Sequence, residues 1–486
     1  MADEIKFDVI IGGGVIIDGT RSLRYVADIG ITGGKIAMIG DLSSFDASES
    51  IDATGKIVAP GFIDAHTHDD EAVLSQPEMT AKISQGVTTV ITGNCGVSIA
   101  PLNPEMTIPS PLDLISTTGE YRFPSFSGYV AALRAAPPSV NVAPMVGHST
   151  LRVMTMSSLD RAATSSEIDA MRDLLDEAMT AGALGVSTGT YYPLAADAPA
   201  AEIVQVCSSI RHHGAVYATH LRDEADHIVG ALEETFQIGK EVGARVIISH
   251  HKLQRPNNFG RSAVTLPMIE AAMKCQCIGL DCYPYNASST MIHADPKRLQ
   301  GQVLIASSDS HPDQSGRDLD DIAKDWGVDK VEAARRLQPG SAIYFGMDEG
   351  DVQNILAFDH TMIGSDGVPT GERPHPRLWG TFPRVLGHYS RDLKLFSLET
   401  AVWKMTGLTA KNFSLKHRGT LEVGSFADVV LFDAINIKDA ASYEHPMTPA
   451  EGIDLVMVNG EVTWRDGVHL GARAGTVITR AIVPEA

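Results

Sequence analysis

Eight short runs of apolar and β-branched residues recur through the middle of the chain, at 61–66, 87–94, 141–148, 183–190, 215–220, 245–250, 278–285 and 361–366, with helical patterns between several of them. Near-continuous apolar character marks strands buried on both faces, and parallel strands of that kind need helices outside them. Eight such units point to a closed (β/α)₈ barrel of the TIM type, spanning about residues 59–415. The helices carry recognisable ends. Thr164 and Glu167 form a capping box, Ile168, Met171, Leu175 and Met179 share one face, and Gly182 closes the segment. Gly214 and Gly243 end the next two helices in the same manner.

The two ends of the chain have a different texture. Residues 7–58 and the C-terminal GTLEVGSFADVVLFDA and DLVMVNGEVTWRDG are short β-segments broken by glycine. Each set alone is a thin sheet with nothing to cover its apolar face, so residues 1–58 and 416–486 are expected to build one small β-sandwich together. The run Gly12, Gly13, Gly14 is read as a hairpin turn, because the helix that a dinucleotide loop requires does not follow it. Between the seventh and eighth runs, residues 286–360 exceed any ordinary connection. They are expected to form an inserted subdomain over the active face, serving as a lid or specificity element.

Composition narrows the partners. Lys and Arg number 39 against 60 Asp and Glu, a formal charge of −21, which repels nucleic-acid backbones and anionic lipid in the absence of a basic cluster. There is no run of about 18 apolar residues and no cationic, apolar leader at the N-terminus, so a cytoplasmic, soluble monomer or small homo-oligomer acting on a small molecule is expected. The five cysteines, Cys95, Cys207, Cys275, Cys277 and Cys282, are too few and odd in number for a disulfide framework, which implies reduced thiols.

Polar residues concentrate where the apolar runs stop, the catalytic end of such a barrel. The first run ends in His66 and His68, two apart on a strand and therefore on one side of it. The second ends in Cys95, the fifth in His220, the sixth in His250 and the eighth in Asp366. Any one of these alone reads equally well as a buried thiol or a hydrogen-bonded imidazole. Together, a thiolate and two imidazoles form a zinc-like set of three that leaves a position open for water or substrate. Cys275, Cys277 and Cys282 are read as a helix end and strand residues rather than a second metal site.

The segments VAPGFIDAHTHDD, TGNCG, MVGHST, ATHLRDE, ISHHK, YPY, IGSDG and HPRLWGTFPRVLGH together resemble the amidohydrolase superfamily, and within it the N-acyl-D-amino-acid deacylases. That resemblance implies a tight Zn²⁺ on Cys95, His220 and His250, a weak or partly occupied second site at His66 and His68, and Asp366 as the acid/base. It also implies a cradle for the substrate α-carboxylate from Lys252, Tyr283, Ser289 and Arg377. The fourth run, ALGVSTGT, has no lysine of the kind that bridges two metals in many superfamily members, and the Cys95 thiolate is expected to occupy that space.

The activity so implied is zinc-dependent hydrolysis of N-acyl-D-amino acids to a D-amino acid and a carboxylate. Within the excursion, Tyr344 and Met347 are read as apolar walls for a neutral side chain, while Lys297 and Arg298 leave an acidic side chain, as in an N-acyl-D-glutamate or N-acyl-D-aspartate deacylase, as the alternative. A cyclic-amide hydrolase, which should carry the missing lysine, and a non-catalytic scaffold, which should have lost ligands, are the other rival readings.

Overall fold

Helices begin where the sequence places polar caps. In the computed structural model, which describes residues 6–116 and 118–480, the Thr164 hydroxyl accepts from Glu167 N and the Glu167 carboxylate accepts from Thr164 N, starting the helix Ser165–Ala181. Its buried residues include Ile168, Met171, Leu175 and Met179, and Gly182 ends it.

Eight parallel strands carry the central body: Phe62–Asp64, Val87–Thr92, Asn141–Pro144 resumed at Val146–Gly147, Gly185–Gly189, Val216–His220, Arg245–Ile248, Ile278–Cys282 and Thr361–Ile363. The third strand breaks at Met145, so that Asn141 pairs with Thr89 of the second strand and Val146 with Val186 of the fourth. The first and eighth strands meet: Ala65 N donates to Ile363 O at 3.2 Å, Asp366 N to His66 O at 2.7 Å and His68 N to Gly367 O at 2.9 Å. The cylinder is thereby closed, which removes every sheet edge. Residues alternate between two buried clusters. Ile63, Ile91, Ala143, Ala218, Ile247 and Met362 pack together inside, whereas their neighbours Phe62, Val90, Val142, Tyr217 and Val246 pack against the helices.

The seam between the first and eighth strands is tied by one buried ammonium. Lys82 Nζ donates to Asp64 Oδ2, Thr67 Oγ1 and Ser365 Oγ, each at 2.9 Å, and lies 3.3 Å from Asp69. Lys82→Met would leave Asp64 and Asp69 buried without a cation, and we expect it to lower unfolding free energy by about 3–5 kcal/mol in urea denaturation. A loss below about 1 kcal/mol, the scale of a surface pair, would show that the network does not hold the seam.

Two further sheets lie at one side. One is built from Lys6–Gly12, Asp28–Thr32, Lys35–Gly40 and Asp46–Asp52; the other has seven strands and joins Ile57–Pro60 antiparallel to Val429–Phe432, so it needs both ends of the chain. Val9, Ile11, Ile29, Val58, Val429 and Leu455 are buried between them. Gly12 to Gly14, expected as a hairpin, instead carry the chain from the first of these sheets to Val15–Ile16 in the second. The strands before and after the glycines find better partners elsewhere in sequence than each other.

After the seventh strand, Ser288–Met291, Val303–Ser308 and Gly340–Tyr344 form an antiparallel sheet backed by the helices Leu319–Trp326 and Lys330–Leu337, with Ile305, Leu319, Ile322 and Leu337 in its own core. This excursion ends sooner than residue 360. The helix Glu349–Ala357 buries Val352, Ile355 and Leu356 in the barrel's outer core, and Asp351 accepts from Gly260 N and Ser262 N of the preceding unit. It is the crossover helix that the eighth strand requires. Among the described residues, no helix is long and apolar enough to cross a membrane.

Candidate metal centre at the strand ends

The carboxyl ends of the strands deliver four donor atoms to one place. His66, Cys95, His250 and Asp366 each offer an atom within 4.8 Å of the others, all buried. Cys95 Sγ lies 3.2 Å from His66 Nε2 and 3.2 Å from His250 Nε2, while Asp366 Oδ1 lies 3.3 Å from His68 Nε2 and 3.6 Å from His66 Nε2. A second group shares His250 and adds His220 and Glu224. The trio expected from the sequence is therefore split. His250 stands between, with Cys95 on one side and His220, at a ring separation of 4.3 Å, on the other.

Local backbone geometry aims these side chains. Cys95, His250 and Asp366 have φ of 53°, 36° and 48°, a left-handed conformation that residues with a Cβ rarely adopt and that concentrates at functional sites. Glycine beside them makes the approach feasible: a Cβ at Gly364 would stand 2.6 Å from His66 Cβ, and one at Gly189 would stand 2.0 Å from Cys95 O. The fourth strand, Gly185–Gly189, thus brings backbone rather than a charged side chain against Cys95.

Burial sets the protonation states. It pushes the Cys95 thiol well up and the His66 and His220 imidazoles down to about 3, so the imidazole lone pairs are available at neutral pH. Burial also works against ionisation of Asp366 and Glu224, but Arg377 and the imidazoles hold Asp366 well below the usual carboxylate range, and Lys252 and the imidazoles do the same for Glu224. Among the described residues His220 Nδ1 is buried with no hydrogen-bond partner, and Nε2 has only Glu224 Oε2 at 3.5 Å, an arrangement costly for a structural imidazole. A cation fits this set: a soft sulfur, neutral imidazoles and flanking carboxylates converge. Its uptake would release the Cys95 proton.

Three residues of the site were not singled out in the sequence. Glu224 follows His220 by four, and its Oε1 lies 3.1 Å from His250 Nδ1 and accepts from Lys252 Nζ at 2.7 Å. Glu224 Oε1 and Lys252 Nζ both face Nδ1, which leaves His250 Nε2, on the Cys95 side, for a cation. Asp281, on the seventh strand, accepts from His250 N at 2.9 Å, and burial raises its carboxyl to about 7. Tyr191 stacks on His220 at 4.6 Å and 25°. The signal for Glu224 was the spacing in HLRDE; Asp281 and Tyr191 sit inside runs that read as plain strand and loop.

The residues expected to cradle a carboxylate are present but already paired. Lys252 Nζ lies 2.6 Å from His250 Nδ1 and bonds Glu224. Arg377 Nη1 lies 2.9 Å from Asp366 Oδ2, its Nη2 donates to the Ser289 carbonyl at 3.0 Å, and its guanidinium lies 4.6 Å from the Tyr283 ring centre. The strand Ser288–Met291 contributes to the lining of two cavities, with Thr290 common to both. One touches His68, Cys95, Val97, Leu114, Tyr192 and Asp366; the other is lined by Tyr191, Arg255, His293, Lys297, Arg298 and Tyr344, among others. Met347, read as a wall, lines neither of them: it packs under Tyr283, whose hydroxyl reaches its sulfur at 3.6 Å. Neither donor group among the described residues includes Cys275, Cys277 or Cys282.

The pattern of the amidohydrolase family matches residues 49–272 and 321–464. A D-aminoacylase of Alcaligenes xylosoxydans xylosoxydans is 56% identical over 482 residues, covering 99% of each chain. A solved D-aminoacylase, described with a binuclear metal centre that one metal activates and a second attenuates, superposes with a TM-score of 0.96 at 56% identity over 98% of this chain and 100% of that one. An N-acyl-D-glutamate deacylase from Bordetella bronchiseptica, solved with zinc and a phosphonate mimic of the tetrahedral intermediate, gives 0.95 at 44% identity over 98% and 100%.

Proposed function

The chain belongs to the amidohydrolase family, and from that premise we propose that it hydrolyses the amide bond of N-acyl-D-amino acids with Zn²⁺ held chiefly by Cys95, His220 and His250. His66 and His68 would form a weaker second position, and Asp366 would move the protons. The observation that carries this reading is that His250 is common to two buried donor groups, with Cys95, His66 and Asp366 on one side and His220 and Glu224 on the other, in a chain alike over its whole length to a D-aminoacylase.

When bound, zinc would supply Lewis acidity to the acyl oxygen and acidify a water. The protein atoms do the rest. Arg377 holds Asp366 by Oδ2, leaving Oδ1 on the side of His66 and His68, where it can take the proton of the attacking water. The same Oδ1 then returns a proton to the departing nitrogen. Glu224 and Lys252 hold His250 from behind, so that its Nε2 stays beside Cys95. Arg377 and Tyr283, stacked on each other, offer the planar cation and the hydroxyl that an α-carboxylate needs for orientation, and hence for choice of hand.

One named relative is a D-aminoacylase, a name that specifies no side chain, and the other is an N-acyl-D-glutamate deacylase, so likeness alone leaves that choice divided. A chiral screen of N-acetyl amino acids, reading released primary amine, tests the reaction class. Release from D-substrates, none from the L-enantiomers, and about one tight zinc per chain are expected. Two tight metals with turnover of cyclic amides would instead support the hydantoinase-like alternative, and an inert, metal-free chain the scaffold.

A further inference from the structure

The helix Arg377–Arg384 has a task at each end. Its first residue is the arginine that meets Asp366 Oδ2 at 2.9 Å and stacks on the Tyr283 ring. Its last, about two turns on, donates from Nε to the Pro284 carbonyl at 2.8 Å and lies over the Tyr285 ring at 4.9 Å. Tyr283, Pro284 and Tyr285 follow the seventh strand directly, in a tight turn where Tyr285 N donates to Tyr283 O at 3.0 Å. One helix therefore grips the turn that carries Tyr283 while presenting Arg377 to the same ring. Between its ends, a Cβ at Gly380 would stand 2.5 Å from Tyr285 Oη, so glycine allows the helix to lie directly on the turn. His375 holds the near end: its Nδ1 accepts from Arg377 N at 3.0 Å and its Nε2 donates to the Ala287 carbonyl at 3.0 Å, a pairing that fixes one neutral tautomer.

The far end of that helix is held from the other end of the chain. Residues 433–452 leave the seven-stranded sheet after Val429–Phe432 and rejoin it at Ile453–Val458. Within them Asp439 meets Arg384 Nη1 at 3.1 Å, and with only 14% of its side chain exposed the carboxylate is screened less than in a surface pair. The Ile435 and Ile437 carbonyls accept from Arg391 Nη1 at 2.9 and 2.7 Å, the Glu444 carbonyl accepts from Arg373 Nη1 at 2.7 Å, and the Tyr443 ring packs edge-on against His375 at 5.3 Å. Every one of these contacts falls on residues 373–391, the stretch that frames Arg377. None of residues 433–452 lines either cavity at the strand ends. The guanidinium of Arg384 joins the two bodies because its fork offers Nε to Pro284 and Nη1 to Asp439 at once.

We propose that Arg384, clamped by Asp439, is a positioning residue for the hydrolysis: it fixes the turn of Tyr283, Pro284 and Tyr285 against the helix of Arg377, and so sets the separation of the phenol and the guanidinium that receive the substrate's α-carboxylate. The assignment rests on the deacylase reading. Arg377 keeps its own contacts with Asp366 and the Ser289 carbonyl, so loosening the turn displaces Tyr283 and leaves the proton carrier in place. The effect therefore falls on substrate binding, and the β-sandwich takes part in recognition through a segment that stays outside the cavities.

The test measures KM and kcat of the zinc-loaded enzyme on N-acetyl-D-leucine or N-acetyl-D-glutamate, whichever the wild type turns over faster. Asp439→Asn is expected to raise KM about fivefold and Arg384→Gln about tenfold, with kcat within about twofold of wild type and zinc content unchanged. Arg384→Lys keeps a charge for Asp439 but lacks the fork for Pro284, and its KM is expected to fall between those of Arg384→Gln and wild type. Lys438→Met removes an exposed pair with Glu451 from the same segment and is expected to leave both constants unchanged. An unchanged KM in Asp439→Asn and Arg384→Gln overturns the assignment, as does a fall in kcat as large as the rise in KM, which marks general damage to the site; either result leaves the deacylase reading standing. If Arg384→Gln does not fold, Asp439→Asn alone decides. A wild type that turns over no N-acetyl-D-amino acid overturns the deacylase reading and this assignment with it.

Discussion

Asp366→Asn is expected to lower kcat on the order of 10³-fold while zinc content stays at the wild-type level. The geometry requires this split. Oδ1 of Asp366 stands 3.3 Å from His68 Nε2 and 3.6 Å from His66 Nε2, so it borders the place where a water would be activated, but Cys95, His220 and His250 do not depend on it for their positions. An amide keeps the shape and the contact with Arg377 yet has no basic oxygen to take a proton. Single-turnover rates alongside metal analysis make the measurement. Zinc lost together with activity would move Asp366 from proton carrier to obligatory ligand, and activity retained would remove it from the chemistry.

Cys95→Ala is expected to weaken zinc binding by about two powers of ten or more and to abolish turnover at ordinary metal concentrations. Cys95 is the sole soft donor in either group, and its sulfur touches imidazoles from the first and sixth strands at 3.2 Å each. Burial pushes its thiol up, so without a cation it stays protonated, and binding must work against that proton. Zinc affinity of wild type should therefore fall as pH falls, and that dependence should flatten in Cys95→Ala. Cys275→Ser, at an exposed position, serves as the control and should leave affinity unchanged. Equal zinc retention in Cys95→Ala and Cys275→Ser would show that the thiolate is not a ligand.

Much of the barrel was legible because its signals are local. The alternation of apolar runs with capped amphipathic segments depends on neighbours three or four residues apart, as in the box of Thr164 and Glu167. Long-range pairing was less legible. The glycines at 12 to 14 read as a hairpin because a hairpin needs no distant partner, whereas the flanking strands belong to different sheets. The helix Glu349–Ala357 was folded into the excursion because nothing in its own sequence distinguishes a helix that packs on the barrel from one that packs on an insertion.

His66, His68, Cys95, His220, His250 and Asp366 could be named from sequence, since a polar residue ending an apolar run is visible without coordinates. Which of them share a cation was not visible. That depended on three left-handed backbone turns at Cys95, His250 and Asp366, on the closure of the first strand against the eighth, and on Glu224 and Lys252 arriving behind His250. Likewise Arg298 was readable as a charge on a loop, but only the folded chain sets it over Tyr191, whose ring stacks on His220. The amino-acid order by itself determined where strands and helices form and which residue types reach their ends, because those are short-range properties of the backbone. Tertiary structure alone decided distances among the donors and the sign of the charge around the cavity, because both arise from segments that meet only when the cylinder closes.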